Sequence, residues 1–207
     1  MSLENLFSMP VWVHDFQGQQ LEEIDAEIDQ CWPRLSFRSD NFRHQLLTTF
    51  DSDGVNDIVK NDLRTFARHV WDNVSVYFDS IKCPPCDLEI QESWFNRYQK
   101  GFFMYDHEHP TGVISGVYYH RAEPEDGGDF YFRNPNPLMM NRLWPGDQLK
   151  EYQTHKIEAK TGRLILFPGW LTHSVMPVTG DREKISLSFN LAHPMKKADL
   201  GPHYFPS

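Results

Sequence analysis

Apolar residues recur with a helical period in the first part of the chain. Between residues 19 and 32 they fall three or four positions apart, and Pro33 follows directly. The longest such pattern spans 57–81 and consists of Val59, Leu63, Phe66, Val70, Val74, Phe78 and Ile81. Because this spacing puts apolar side chains on one face of a helix, it predicts a helix over 19–32 and a continuous helix over 57–81. Asn56 or Asp57 can cap the second helix.

From residue 87 onward the pattern changes to short runs with the composition of strands. The stretches "LEIQESWFNRYQ", "GVISGVYYHRA", "GRLILFP" and "KISLSFNLAH" are rich in β-branched and aromatic residues, and Gly, Pro, Asp and Asn separate them. Residues 8–14 predict one further short strand. Helices followed by many short strands favour a mainly β fold, a sandwich or barrel with N-terminal helices packed on one sheet.

Length and charge narrow the classes of protein that this chain can be. It has 207 residues, 40% of them hydrophobic, which predicts one domain. The formal net charge of −9 disfavours binding to nucleic acids and to anionic membranes. The sequence contains no apolar run of membrane-spanning length and no signal-peptide pattern, and its three cysteines fit a reducing compartment. We therefore expect a cytoplasmic protein.

Two histidines at one end of a predicted strand are the first sign of chemistry. His107 and His109 stand two positions apart in "YDHEHPTGVISGVYYH", and side chains two apart in a strand point to the same face. Both imidazoles would then aim at one point, as metal ligands do. A distant strand can supply a third ligand, because His173 follows the buried run of 164–167 and the break at Pro168.

The strand "KISLSFN" carries a polar face that needs an explanation. Its two faces alternate cleanly, with Ile185, Leu187 and Phe189 on one side and polar residues on the other: Lys184, Ser186, Ser188 and Asn190. A wholly polar face inside a small barrel is unfavourable unless it lines a wet or liganded cavity. This strand therefore offers a cation and hydroxyl groups to an anion inside the barrel.

The order of these motifs resembles the Fe(II)/2-oxoglutarate-dependent dioxygenase superfamily. H-x-H is followed by "GGDFYF", by G-x-L-x-x-F-P, by His173, and then by a basic residue and a serine on the last strand. The resemblance covers residues 90–192 and is greatest to the prolyl-hydroxylase-like branch and its bacterial and phage members of unknown substrate. It implies a double-stranded β-helix (jelly-roll) barrel that binds Fe(II) and 2-oxoglutarate and that hydroxylates a small molecule or a peptide.

The resemblance also implies site residues, with one departure from the usual pattern. The superfamily's triad is His, carboxylate, His, but His109 stands where the carboxylate is expected. Either His107, His109 and His173 bind the metal, or Glu108 or Asp106 supplies a carboxylate. Strand alternation turns Glu108 away from the face that His107 uses, which favours three histidines.

Further residues are expected to bind 2-oxoglutarate. Lys184 and Ser186 resemble the family's R-x-S pair, and Arg182 is the alternative cation. The stretch "NRYQKGFFMYDHEH" resembles the alkylation-repair demethylases of the superfamily, in which the Asn and the Tyr contact 2-oxoglutarate, so it implies Asn96 and Tyr98.

The substrate is expected to meet a long connection between two predicted strands. Residues 134–155 are too long for a turn and contain apolar residues such as Trp144. This suggests either a flap over the mouth of the site or a segment that packs on the outside of the barrel. Trp144, Arg133 and Trp170 are the candidate substrate contacts. Tyr119 and Tyr131 either line the pocket or belong to the core.

A second family matches part of the same pattern. Gly101-x5-His107-x-His109 and Gly162-x5-Pro168 resemble the two cupin motifs. The pattern departs from them at two places, because Val113 and Ile114 stand where a Glu is expected and Trp170 stands where a Gly is expected. A cupin-type metal dioxygenase or isomerase is therefore the alternative, followed by a metal-free jelly-roll binding module. In each case the chain is expected to be a single domain, 1–207, with a helical support region, 1–86, and a jelly-roll core, 87–195.

Overall fold

The computed structural model describes residues 8–40, 46–50, 57–84, 86–135 and 153–194, and in these ranges it contains three α-helices and eleven strands. None of these helices is long and apolar enough to cross a membrane. The helices are α1 Gln19–Cys31, α2 Ile58–Asp62 and α3 Arg64–Ser80, with 3₁₀ turns at Trp32–Arg34 and Pro124–Asp126. The strands are β1 Trp12–Asp15, β2 Arg38–Asp40, β3 Leu46–Thr48, β4 Glu89–Tyr98, β5 Met104–His107, β6 Ile114–Arg121, β7 Phe130–Arg133, β8 Thr154–Ile157, β9 Arg163–Pro168, β10 His173–Val175 and β11 Lys184–Ala192.

The strands form two antiparallel sheets that share a core. The larger sheet has the order β1-β9-β6-β11-β4-β3-β2, and the smaller has the order β5-β10-β7-β8. One apolar cluster contains Val117 and Phe167 from the larger sheet together with Phe130, Phe132 and Val175 from the smaller. Two sheets packed in this way form the double-stranded β-helix that the motifs implied.

The helices pack on the other face of the larger sheet. Ile24 and Ile28 of α1 and Phe66 of α3 belong to a second apolar cluster, which also contains Phe95 of β4 and Leu187 of β11. This confirms the expected packing of helices on one sheet. The N-terminal part of the chain also adds β1 at one edge of that sheet and β2 and β3 at the other.

The prediction of one continuous helix over 57–81 was wrong. The helix breaks at Leu63, whose backbone leaves the helical region with φ −120° and ψ 63°. The Glu27 carboxylate of α1 accepts hydrogen bonds from the backbone N–H groups of Thr65 (2.9 Å) and Phe66 (3.0 Å) at the start of α3. A carboxylate at a helix N-terminus satisfies free N–H groups and the helix dipole, so a partner distant in sequence stabilises the break.

Candidate active site

Three imidazoles converge at the edge of the smaller sheet. His107 ends β5, His109 follows two residues later, and His173 begins β10 directly opposite His107 in the β5–β10 pair. One ring nitrogen from each lies within 4.8 Å of the others, and the ring centroids of His107 and His173 are 4.2 Å apart. This donor set can hold a metal ion, as the H-x-H spacing predicted.

Backbone carbonyls orient two of the three rings. His107 Nδ1 lies 2.8 Å from Tyr105 O, and His173 Nδ1 lies 2.8 Å from Leu171 O. A carbonyl only accepts, so Nδ1 carries the proton in both rings and the lone pair is on Nε2. Burial, followed by the neighbouring imidazoles, holds the pKa of His173 well below its usual value, so this ring is neutral, the form that binds metals.

The two alternative carboxylates have other partners. Asp106 accepts a hydrogen bond from Arg133 Nε at 2.8 Å, in a surface ion pair. Glu108 accepts a hydrogen bond from the Thr172 hydroxyl at 2.5 Å. Neither carboxylate belongs to the metal-competent group found among the described residues. The structure therefore brings the three histidines together and directs both carboxylates elsewhere.

One cavity joins the imidazoles to the polar face of β11. It is lined by the three histidines and by Asn96, Tyr98, Lys184 and Ser186. Strand register explains the grouping, because Tyr98 of β4 lies opposite Lys184 of β11, and Asn96 lies opposite Ser186. The four residues proposed from sequence for the co-substrate thus line the same cavity as the histidines.

Lys184 is a buried cation without a described carboxylate partner. Its exposed fraction is 3%, its Nζ donates a hydrogen bond to Gly128 O at 2.5 Å, and it lies 4.2 Å from the centroid of the Tyr98 ring. Burial lowers its pKa to about 7, against a weaker opposing effect of Asp129. Gly128 has φ +71°, a backbone conformation that favours glycine, and a Cβ there would lie 2.7 Å from Nζ. Such a group is suited to receive an anion.

Two further polar atoms in the cavity are buried without a hydrogen-bond partner among the described residues. They are the Tyr119 hydroxyl and Asn96 Oδ1. Buried polar atoms are nearly always paired in proteins, so an unpaired hydroxyl beside a buried lysine points to a ligand. The sequence alone did not decide whether Tyr119 lines the pocket or belongs to the core. That decision needs the strand register, which places Tyr119 of β6 opposite Ser186 of β11.

The remaining candidate residues lie outside this cavity or outside the described ranges. Arg182, the alternative cation, is exposed and donates to Glu125 at 2.6 Å and to Asp126 at 2.5 Å. Trp170 is 48% exposed, and neither it nor Arg133 lines the cavity. Trp144 and residues 136–152 of the expected flap lie outside the described residues.

Comparisons with known proteins agree with this geometry. Residues 92–190 match the family model described as "Putative 2OG-Fe(II) oxygenase". No curated protein matches the chain.

Solved structures resemble the fold over most of the chain. A Pseudomonas putida prolyl-4-hydroxylase has a TM-score of 0.61 at 15% identity, covering 91% of this chain and 95% of its own. The viral collagen prolyl hydroxylase of Paramecium Bursaria Chlorella virus-1, solved as a 2OG complex, has a TM-score of 0.56 at 17% identity, covering 87% and 94%. HygX from Streptomyces hygroscopicus, solved with nickel and 2-oxoglutarate, has a TM-score of 0.57 at 13% identity, covering 90% and 84%.

At these identities the structural likeness shows the fold alone, and the likeness to a family is confined to the barrel strands of residues 92–190. The three-histidine donor set and the buried cation lie within or beside strands of the matched segment. Residues 92–190 are therefore similar to the putative 2OG-Fe(II) oxygenases, and the fold of the chain resembles that of a prolyl-4-hydroxylase.

Proposed function

We propose that His107, His109 and His173 bind Fe(II), that Lys184 binds the distal carboxylate of 2-oxoglutarate, and that the enzyme hydroxylates a small molecule or a peptide. The observation that carries this proposal is one cavity lined both by three convergent imidazoles and by a buried lysine without a described carboxylate partner. Each end of the co-substrate then has a complementary group in the protein.

The donor set suits the groups it would hold. Neutral imidazoles are good ligands for Fe(II), and three of them leave the full charge of the ion to attract a dianion. Bound together, Fe(II) and 2-oxoglutarate supply the activation of O₂ for substrate oxidation.

The surrounding residues would orient the co-substrate. The hydroxyls of Ser186 and Tyr119 can donate to a carboxylate beside Lys184, and the Tyr98 ring supports the ammonium group. Asn96 lines the same cavity and keeps one free acceptor, Oδ1, in the described structure. These residues would hold the dianion in one orientation between Lys184 and the three imidazoles.

Arg133, Trp144 and Trp170 stay proposals as substrate contacts. Arg133 donates to Asp106, the residue before His107, and so lies beside the metal-site strand. Trp170 presents an exposed ring on the loop that leads to His173. Both positions are compatible with the rim of a site that admits a peptide or a small molecule.

We also propose that residues 1–207 form one domain, with 1–86 as support for the core 87–195, and that the protein is cytoplasmic. The shared large sheet supports the first statement, because β1, β2 and β3 pair within it. Free thiols at Cys31, Cys83 and Cys86 fit a reducing compartment. The acidic net charge disfavours nucleic-acid and membrane partners.

Anaerobic calorimetry tests the site directly. Mn(II), a redox-silent substitute, is titrated first and 2-oxoglutarate second. We expect wild type to bind one equivalent of each, His173→Ala to lose Mn(II), and Lys184→Met to keep Mn(II) but lose 2-oxoglutarate. Arg182→Met is the matched control, because it removes an exposed cation that is already paired.

The outcomes separate the alternatives. Uptake of 2-oxoglutarate by Lys184→Met at wild-type affinity would exclude the proposed role of that residue. Uptake of Mn(II) without any 2-oxoglutarate in wild type would favour a cupin-type enzyme. Uptake of neither would favour a metal-free binding module.

A further inference from the structure

The third imidazole is oriented differently from the other two. His107 and His173 each have Nδ1 against a carbonyl of their own segment, two residues earlier in the chain. The backbone of His109 is fixed locally, because its N–H donates to Gly169 O and its carbonyl accepts from Gly112 N–H. Its ring nitrogen Nδ1, in contrast, lies 3.5 Å from Asn190 Nδ2 on β11, far away in the sequence.

Asn190 is itself held from both sides. The Ser115 hydroxyl of β6 donates to Asn190 Oδ1 at 2.7 Å, and Asn190 Nδ2 donates to Glu92 Oε2 of β4 at 3.1 Å. Register places the three side chains in line, because Asn190 lies opposite both Ser115 and Glu92. We call Ser115, Asn190 and Glu92 the Asn190 row. Asn190 and Ser115 are 3% and 2% exposed, so solvent does not replace these contacts.

The Asn190 row also packs against the turn that carries His109. A Cβ added to Gly112 would lie 3.3 Å from Ser115 Oγ and 3.4 Å from Asn190 Oδ1. The row therefore contacts this turn through Gly112 and the His109 ring through Asn190. A side chain held in this way cannot rotate freely, and neither can the ring that rests against it.

We infer that Asn190 is a positioning residue for His109, and that it sets the direction and the protonated nitrogen of the third metal ligand. This inference rests on the proposed metal site. A histidine that binds metal through Nε2 needs an acceptor for its Nδ1 proton. The Asn190 amide can supply Oδ1 by turning over, and the Ser115 hydroxyl can serve either orientation because it both donates and accepts. Turning over breaks the bond from Nδ2 to Glu92, which only accepts, so Glu92 opposes this orientation and metal binding has to outweigh that bond.

The test compares Mn(II) affinity in variants of the full-length protein. Loss of a residue that orients a metal ligand typically weakens metal binding by about 10- to 100-fold, and we expect this for Asn190→Ala. The matched control is Asn73→Ala, since Asn73 is another buried asparagine, on α3, that accepts from Trp12 Nε1 and donates to the His69 carbonyl. That variant should lose thermal stability and keep its Mn(II) affinity.

An exchange variant distinguishes positioning from packing. Glu92→Gln combined with Asn190→Asp keeps one carboxylate and one amide in the row but puts the carboxylate next to His109. An acceptor for Nδ1–H is then present, so we expect Mn(II) affinity to return to the wild-type level or above. A merely structural role would leave this double variant as weak as Asn190→Ala, and that result would overturn the inference.

The remaining outcomes are equally decisive. Wild-type Mn(II) affinity in Asn190→Ala would refute the role of Asn190 and leave the proposed function intact. No Mn(II) binding by wild type would refute the proposed function and the inference with it. If Asn190→Ala does not fold, Ser115→Ala replaces it, because it keeps the amide and removes its hydroxyl partner. A smaller loss of affinity is expected there, and unchanged affinity would count against the inference.

Discussion

Replacing Lys184 with methionine should stabilise the protein in the absence of metal and 2-oxoglutarate. The folded protein lowers the pKa of this lysine from 10.5 to about 7, chiefly by burial. Between these two values the unfolded chain binds more protons than the folded one, so the stability of wild type rises with pH. The penalty for burying Lys184 is therefore full below pH 7 and absent above about pH 10.5.

The size of the penalty follows from the two pKa values. One pKa unit corresponds to about 1.4 kcal/mol, which gives a penalty of about 4 kcal/mol at pH 7 and about 1 kcal/mol at pH 10. Lys184→Met removes this penalty but leaves Gly128 O without its donor, which costs about 1–3 kcal/mol at both pH values. The variant should thus be more stable than wild type at pH 7, and its free energy of unfolding relative to wild type should fall by about 3 kcal/mol between pH 7 and pH 10.

Urea unfolding of both proteins at pH 7 and pH 10, with a chelator present, measures this change. The comparison between two pH values cancels the packing difference, because the lost hydrogen bond is the same at each. Arg182→Met is the control, since the pKa of the exposed Arg182 is raised by Glu125 and Asp126 and the group stays charged throughout. A stability difference between wild type and Lys184→Met that does not vary with pH would refute the reasoning.

Three further predictions concern individual charged side chains. If Lys184 binds the carboxylate in its charged form, the affinity for 2-oxoglutarate should fall about 50-fold from pH 7 to pH 9, as calorimetry would measure. An affinity that does not change with pH would show that the lysine stays charged in the free protein. The Glu108→Ala variant should retain Mn(II), because the Glu108 carboxylate accepts a hydrogen bond from Thr172. If elemental analysis shows that the variant has lost its metal, the hypothesis that Glu108 is a metal ligand is supported instead. The Asp15→Asn variant should have a lower melting temperature than wild type at pH 7 but not near pH 2. The hydrogen bond from Arg163 holds the pKa of Asp15 at about 2, below its usual 3.8. The stabilisation that this bond gives disappears as the carboxylate is protonated.

The local spacing of apolar and polar residues was enough to predict most of the helices and strands from the sequence. Strand side chains alternate with a period of two, so the polar face of "KISLSFN" and the shared face of His107 and His109 follow from spacing alone. The apolar stripe that contains Ile24 and Ile28 likewise identifies a helix. These features depend on neighbours in the chain, which the sequence displays directly.

Motif order added the resemblance to a family and the co-substrate that this resemblance implies, but it did not decide between the alternative metal ligands or between the alternative cations. The choice between Lys184 and Arg182 depends on burial, and burial depends on which strands flank β11. Arg182 lies beyond the strand end and meets surface acids, whereas Lys184 lies between Tyr98 and the Gly128 turn.

Only the tertiary structure decided the contacts that join distant segments. His173 meets His107 because β10 pairs with β5, and the helix breaks at Leu63 while Glu27 of another helix binds the freed N–H groups. Asn190 reaches His109 because three strands bring one row of side chains into register. Pairing partners, register and burial arise from the free energy of the whole packed barrel, so no local pattern of residues contains them.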